Sequence, residues 1–361
     1  MNRRTALAGA GAALVTAAGG PALAQSAPMA ALISAAKAEG TVVVDGPPYD
    51  AVRTAFTDEF QKAYGIPVSY ISSGSSQSGA RVRAERAAGK YLLDVFISGP
   101  DTPIFTFLPG GWLDKIEPAL IAPDVVDKRN WRDGHLWYAD PNNTILRVQQ
   151  FVAPELAINT KYVQPHEVST WKALLDPKWR GKLAAKDPTI TGAGASLDSF
   201  FYIELGPDFV KRLYIDQKPT LTRDQRQAAQ WLAEGTYPIL IGADYSNLIE
   251  FQKAGYPVVP VFPTDAPSVL TGGFGNLCLV NKAPHPNAAK LFINWLAGPA
   301  GELAYSEATQ APSLRTDLKY SGIPTFMFPQ KGAQYMDTYS WQFVTEQRDT
   351  AFAKVRELLG E

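Results

Sequence analysis

The sequence predicts an α/β protein of two domains, the first of them doubly wound, and three observations support this. Residues 41–99 alternate between apolar strand patterns and helical apolar spacing, and a second α/β region follows the extended middle of the chain. Uninterrupted apolar strands are typical of sheets that helices cover on both faces. The chain has 361 residues, more than one hydrophobic core usually serves.

Each element of the first region has a recognisable pattern and stop signal. Val52, Phe56 and Phe60 recur at helical spacing, whereas the strand before them carries a continuous apolar run, Val42-Val43-Val44, and is stopped by Gly46-Pro47-Pro48. Ligands in such sheets bind outside the carboxyl ends of the strands. The predicted elements are strands at Thr41–Asp45, Pro67–Ile71 and Leu92–Ser98 and helices at Tyr49–Ala63 and Ser78–Ala88.

The remainder of the chain begins with an extended stretch, Trp137–Asn159, which Pro141 and Pro154 interrupt. Within it, Arg147 is either a partner for an acidic ligand or an exposed strand residue. Cys278 lies in an apolar run and is expected to be a buried small hydrophobe. The predicted elements are strands at Lys182–Ala185, Pro238–Ile241, Pro257–Phe262 and Gly273–Val280 and helices at Leu197–Leu205, Arg223–Glu234, Asn287–Leu296 and Gln342–Leu359.

Composition narrows the possible functions. The formal net charge is −1, so no basic surplus indicates a nucleic-acid partner. The single cysteine rules out an intramolecular disulfide. Catalytic patterns are sparse: there is no Gly-x-Ser-x-Gly elbow, no His-Glu-x-x-His and no Gly-Lys-Ser/Thr loop. We therefore expect a protein that is not an enzyme and needs no cofactor, with a periplasmic enzyme as the alternative.

Residues 1–24 resemble a cleaved export signal. They combine Arg3-Arg4, an Ala/Gly-rich apolar stretch and a closing Ala22-Leu23-Ala24. The twin arginines and the weakly apolar core favour the Tat route over the Sec route. Since Cys278 lies far from the cleavage point, we expect no lipid anchor there. The sequence predicts a periplasmic, monomeric protein.

Several stretches resemble the extracellular solute-binding proteins of ABC importers, in the subgroup that includes ferric-iron, thiamine and phosphonate binders. The most specific is 281–296, NKAPHPNAAKLFINWL, which is similar to a late helix of that family. The other matching stretches, in the family's order, are 39–44, 60–68, 83–95, 157–160 and 187–194.

The resemblance implies a type II periplasmic-binding-protein fold, in which two hinge-linked lobes enclose a ligand cleft. Such proteins close on a ligand and present the closed form to a membrane permease. The partners it implies are a small anionic solute and, transiently, an ABC permease in the inner membrane. The expected segments are the signal at 1–24, a first lobe at 26–145 plus 268–315, a second lobe at 150–262 and a helical tail at 316–361 of unassigned lobe.

Two Gly/Ser/Thr loops are the main candidates for holding the ligand. The loop 74–79 joins a strand to a helix, and 191–196 repeats this design in the second lobe. Free backbone N–H groups at helix N-termini attract anions, although the same residues also serve as ordinary helix caps. The predicted ligand-binding residues are Tyr49, Ser75, Ser76, Gln77, Ser98, Gly99, Thr191, Gly192, Ala193, Tyr245 and Asn247.

Tyr245 raises a second possibility for the ligand. In ferric-iron members of the family, this neighbourhood carries adjacent tyrosines, whose phenolates bind the metal. Here Ser246 follows Tyr245, so the pair is missing. We therefore predict no metal site, and keep ferric iron bound through Tyr245, with Tyr49 or Tyr256 as a second ligand, as the alternative.

Overall fold

The computed structural model describes residues 27–190 and 193–361, without the side chains of Ser75, Ser76 and Ala193. The predicted signal at 1–24 lies outside these residues. The strands are β1 (Val42–Gly46), β2 (Val68–Ser72), β3 (Val95–Ser98), β4 (Trp137–Tyr138), β5 (Ile145–Arg147), β6 (Phe151–Val152), β7 (Leu156–Asn159), β8 (Leu183–Lys186), β9 (Thr220–Thr222), β10 (Ile239–Ile241), β11 (Val258–Val261), β12 (Ser268–Thr271), β13 (Asn276–Leu279) and β14 (Tyr335–Asp337).

The helices pack on the sheets and include four π-helical turns, at Phe56–Phe60, Pro103–Phe107, Arg212–Asp216 and Phe343–Gln347. Short 3₁₀ turns occupy several connections. The α-helices are α1 (Ala27–Glu39), α2 (Asp50–Ala55), α3 (Gln61–Tyr64), α4 (Ser75–Ala87), α5 (Pro123–Val126), α6 (Ala193–Glu204), α7 (Pro207–Lys211), α8 (Gln225–Glu234), α9 (Tyr245–Lys253), α10 (Pro286–Ala297), α11 (Pro299–Thr309) and α12 (Arg348–Leu359).

Three sheets form among the described residues. The first has the strand order β2-β1-β3-β13-β5-β4, with β1, β2 and β3 parallel and β13 antiparallel to both of its neighbours. The second has the order β11-β7-β10-β8-β9. We call these sheets, with the helices packed on them, the first and second lobes. The two-lobe α/β fold predicted from the sequence is confirmed.

A small third sheet lies where the chain passes from the first lobe to the second and where it returns. We call it the hinge sheet. Strand β12 pairs with β6 on one side and with β14 on the other. Strand β6 lies within the first crossing between the lobes and β12 within the return. The hinge sheet is therefore built from three distant parts of the chain. The predicted residue limits of the lobes stay a prediction.

The C-terminal tail contacts both lobes. Phe343 and Val344 are buried with Phe96 and Cys278 of the first sheet, while Val355 belongs to the core of the second lobe. Helix α12 packs against α6 and α7. The tail therefore runs from one lobe to the other, and Cys278 is buried as predicted.

The predicted helix near Asn287–Leu296 is α10, and the last residue of α1 caps it. The Glu39 carboxylate accepts hydrogen bonds from the backbone N–H groups of Asn287 and Ala288, at 3.0 and 2.8 Å, and from the Asn287 amide at 2.6 Å. A carboxylate at a helix N-terminus satisfies donors that lack intrahelical partners and interacts favourably with the helix dipole. Glu39 thus fixes α1 against α10.

We expect Glu39→Ala to lower the free energy of unfolding by about 1–2 kcal/mol, because two backbone donors of α10 lose their acceptor. For a domain of about 150–250 residues this corresponds to a fall of roughly 2–8 °C in the melting temperature. The matched control is Glu59→Ala, which removes an exposed acid from the same lobe. Equal melting temperatures for the two variants would contradict the capping role.

Candidate functional site

The carboxyl ends of the strands in the two lobes face each other. Tyr49 follows β1 of the first sheet, and Asp244 and Ser246 follow β10 of the second. The Tyr49 hydroxyl lies close enough to both for them to influence its pKa. The space between these edges is the cleft expected for a doubly wound sheet.

Tyr49 is held in its position by a ring contact and stays protonated. Its ring meets Phe274 edge-on, with the ring centroids 5.7 Å apart. Burial raises the pKa of Tyr49, the Asp244 carboxylate raises it further, and the Ser246 hydroxyl opposes the change. A neutral phenol therefore faces the second lobe.

Helix α4 begins at the end of β2 and presents its first turn at this edge. Its N-cap is Gly74, which has an extended backbone and no side chain that could cap the helix. The first turn contains no acidic residue. A helix N-terminus of this kind leaves backbone N–H groups available for an anion. Gln77, one of the predicted ligand-binding residues, is exposed there.

A buried carboxylate, which the sequence analysis does not single out, anchors this helix. Asp45 accepts hydrogen bonds from Arg81 at 2.6 Å, from Ser78 at 3.0 Å and from Ser73 at 3.2 Å. Burial raises the pKa of Asp45, and the bond from Arg81 opposes that shift. Asp45 therefore joins the end of β1 to α4; an acid that ends an apolar strand is the sequence signal that marks it.

The remaining predicted residues of the first lobe follow β3. Ser98 is buried, and Gly99 is half-buried. A Cβ atom on Gly99 would stand 3.5 Å from both the Gly273 carbonyl oxygen and the Tyr339 hydroxyl. These are ordinary van der Waals distances, so the end of β3 packs beside the turn before β13 and the tail without requiring a glycine at this position.

In the second lobe, helix α9 begins in a stretch for which the sequence predicts no regular element. Asp244 is its N-cap and accepts hydrogen bonds from the Ser246 backbone N–H at 3.0 Å and the Ser246 hydroxyl at 2.7 Å. Asn247 is half-buried in the first turn. The cap directs Ser246 towards the cleft, as its influence on Tyr49 shows.

Tyr245, in contrast, packs into the core of the second lobe. It is 6% exposed, and its ring centroid lies 5.3 Å from that of Phe326. Its hydroxyl donates to Gln252, two helical turns away, at 3.3 Å. The Tyr245 hydroxyl is therefore bonded within its own helix. Thr191 and Gly192 lie outside the described residues, and Ala193 begins α6.

Arg147 is not a free partner for an acidic ligand, nor is it exposed. It is 2% exposed, and its guanidinium donates to both carboxylate oxygens of Asp337, at 2.8 and 3.2 Å. Both interpretations of Arg147 from the sequence are therefore wrong. The partner lies 190 residues away, where no local pattern indicates it.

Two acids of the second lobe, one buried and one half-buried, have raised pKa values. Asp198, on α6, is 1% exposed and accepts a 2.5 Å hydrogen bond from the Tyr214 hydroxyl. Burial raises the pKa of Asp198 to about 8, although the Tyr214 hydrogen bond opposes the shift. Burial likewise raises the pKa of Glu155, against the influence of Lys186. Sequence reasoning missed both.

Two negative observations apply to the described part of the chain. No group of three or more His, Cys, Asp and Glu side chains is placed to hold a metal ion there. No described helix combines the length and hydropathy that a membrane span requires.

A family model for "bacterial extracellular solute-binding protein" matches residues 44–303. The chain belongs to this family. The match covers both lobes, and transport and ligand binding follow from it. This solute-binding protein is thus the component of an ABC importer that carries the solute, as the sequence resemblance implies.

Comparison with individual proteins supports the fold. An uncharacterized protein of Haemophilus influenzae is 23% identical over 336 residues, which cover 90% of this chain and 92% of the relative. Iron-bound HitA from Pseudomonas aeruginosa has a TM-score of 0.67 at 16% identity, covering 88% of this chain and 99% of its own. AfuA from Actinobacillus pleuropneumoniae, with fructose-6-phosphate bound, has a TM-score of 0.64 at 18% identity, with coverage of 88% and 99%.

We expect this solute-binding protein to lose stability as pH rises towards 8. The folded-state pKa of Asp198 is about 8, whereas an unfolded aspartate titrates near 4, so the folded state holds this proton more tightly. The contribution is complete below about pH 4 and is lost as pH rises to 8. In urea unfolding between pH 4 and 8, Asp198→Asn should flatten this dependence.

The control for this experiment is Asp208→Asn, which removes an exposed acid from α7. Its pH dependence should match that of the unaltered protein. A slope that Asp198→Asn leaves unchanged would show that Asp198 does not hold a proton in the folded state.

Proposed function

We propose that this protein captures a small anionic solute, such as an organic acid, a phosphonate or an oxyanion, and delivers it to an ABC permease in the inner membrane. The observation that carries the proposal is the first turn of α4. This 13-residue helix begins at the cleft with a glycine N-cap and no acid in its first turn. The first turn of α6, in the opposite lobe, also lacks acidic residues.

Neutral donors from both lobes would hold the anion. Ser75, Ser76, Ser98, Thr191 and Gly192 supply hydroxyl and backbone N–H groups, with Asn247 on the second lobe. The charged side chains near the edge are already engaged, because Arg81 pairs with Asp45 and Arg147 with Asp337. An anion held in this way pairs with dipoles rather than with a free lysine.

The proposed function also includes where the protein acts and whether it acts as a monomer. We infer that residues 1–24 direct export and are removed, so that the protein acts as a free monomer in the periplasm. It binds rather than transforms its solute. Turnover of a bound compound that is lost on changing Ser75 would favour the alternative of a periplasmic enzyme.

The test is thermal unfolding against a panel of organic acids, phosphonates, oxyanions, thiamine and ferric citrate. A ligand at roughly 1,000 times its dissociation constant adds about 4 kcal/mol to a native state that alone binds it. The melting temperature should then rise by several degrees with one acid, phosphonate or oxyanion.

Site assignment is tested with Ser76→Ala and Thr191→Ala. Each should weaken binding of that anion about 10- to 100-fold, because a hydrogen bond to a charged group contributes about 1.5–3 kcal/mol. Thr54→Ala, on the exposed side of α2, is the control and should leave the affinity unchanged. Unaltered affinity in both site variants would refute the assignment.

Ferric iron is the second candidate, because Tyr49 and Asp244 place two oxygen groups opposite each other across the cleft. Two features oppose it: burial and Asp244 raise the pKa of Tyr49, and Tyr245 directs its hydroxyl to Gln252. A metal must displace the phenolic proton to bind. A visible phenolate-to-iron band on adding Fe(III), lost in Tyr49→Phe, would establish iron as the ligand; we expect no such band.

A further inference from the structure

Three asparagines are buried in the described part of the chain, and one of them differs from the other two. Asn159, Asn276 and Asn294 are 1%, 1% and 3% exposed. The Asn294 amide is fully bonded: its oxygen accepts from Ile121 and Ala122, both at 2.8 Å, and its nitrogen donates to two carbonyl groups. Neither amide atom of Asn276 has a hydrogen-bond partner among the described residues.

Asn159 shows that full bonding is attainable for a strand residue as well as a helical one. Its nitrogen donates to the carbonyl groups of Leu232 and Ala233, both at 3.0 Å, and its oxygen accepts from Lys161 at 3.1 Å. A buried polar group left without a partner costs about 1–3 kcal/mol. Because native proteins contain few such groups, Asn276 calls for a specific explanation.

The position of Asn276 supplies that explanation. It begins β13, which runs antiparallel to β3, so it lies at the edge where the first-lobe strands end. It stands opposite Ser98 on one side and Arg147 on the other, and residues paired in this way place their side chains on one face of the sheet. Phe274, two residues earlier, packs on Tyr49. Asn276 therefore belongs to the first-lobe wall of the cleft.

Most neighbouring polar groups are committed to other partners; the exception is the Nε of Arg147, which is buried without one. Both terminal nitrogens of Arg147 donate to Asp337. The Tyr339 hydroxyl donates to the Gly273 carbonyl oxygen at 2.7 Å. The Asn276 amide is thus left as a donor and an acceptor, side by side, at the edge that meets the ligand.

We propose that Asn276 is a ligand-binding residue that determines specificity, with Nδ2 donating to the anionic oxygen of the ligand and Oδ1 accepting from a donor next to it. This inference rests on the proposed function and narrows it. An amide provides one acceptor and two donors in fixed geometry. The matching solute is an anion that carries a hydroxyl, amino or protonated oxygen beside its charged oxygen, rather than a bare oxyanion.

The Oδ1 acceptor of Asn276 would make the protein select ligands that carry a donor beside the charged oxygen. A ligand without the adjacent donor leaves Oδ1 buried and unpaired, which weakens binding about 10- to 100-fold. Two matched pairs of probes isolate this effect: phosphate against sulfate, and malate against succinate. In each pair, the first member carries a hydroxyl that the second lacks.

The experiment compares Asn276→Leu with Asn294→Leu. For each protein, the melting temperature is measured without ligand, and the affinity for the four probes is measured by calorimetry. We expect Asn276→Leu to keep or raise the melting temperature, because an unpaired amide is replaced by an apolar group of similar shape. It should lose both affinity and the preference for the hydroxyl-bearing probe of each pair. Asn294→Leu should lower the melting temperature and retain affinity and preference.

Two results would overturn the inference. One is a lower melting temperature for Asn276→Leu, which would show that the amide is already bonded without ligand. The other is retained affinity and preference in that variant. If the leucine variant does not fold, the affinity measurement is repeated with Asn276→Ala, whose smaller side chain fits the space occupied by the asparagine. Absence of binding of all four probes by the unaltered protein would overturn the proposed function and this inference with it, whereas a lower melting temperature for Asn276→Leu, with normal binding by the unaltered protein, would overturn this inference alone.

Discussion

The ion pair between Arg147 and Asp337 is the contact on which the geometry of the cleft depends. Arg147 ends β5 in the first lobe, and Asp337 ends β14 in the hinge sheet. Gln150 also donates to Asp337, at 3.0 Å. A buried guanidinium is very costly without its partner, so the tail has to remain on the hinge for the first sheet to keep its shape. The tail is therefore part of the hinge rather than an appendage.

A second ion pair extends this arrangement to the other lobe. Arg348 begins α12, and its backbone carbonyl accepts a hydrogen bond from Ser199 of α6 at 3.1 Å. Its guanidinium reaches Asp101, which follows β3, at 2.5 Å. Charged contacts thus connect the lobes beside the hinge, whereas the neutral Tyr49 faces the second lobe across the cleft. The hinge side is therefore held by ion pairs of the protein itself.

The sequence predicts most of the regular structure because apolar patterns are local. Every predicted strand and helix has a counterpart within a few residues, although Gly273–Val280 is shortened to Asn276–Leu279 by a turn in which the Gly275 N–H donates to the Gly272 carbonyl. Helix α9 was missed because Asp244 resembles a loop residue until its capping role is known. The hinge sheet was missed because its strands are short and pair over long distances.

The site residues likewise fall into those that local sequence patterns predict and those that depend on distant partners. The turn after β1 and the first turn of α4 are predictable because the ends of parallel strands share one edge. A buried polar residue in an apolar run, as in Ala-Ile-Asn, Gly-Asn-Leu-Cys and Phe-Ile-Asn-Trp, has the same appearance in the sequence whether or not it is satisfied. The partners that distinguish Asn159 and Asn294 lie 73 and 175 residues away, at Leu232 and Ala119. Asn276 has no such partner and begins a strand at the edge where the first-lobe strands end, a difference that only the folded chain reveals.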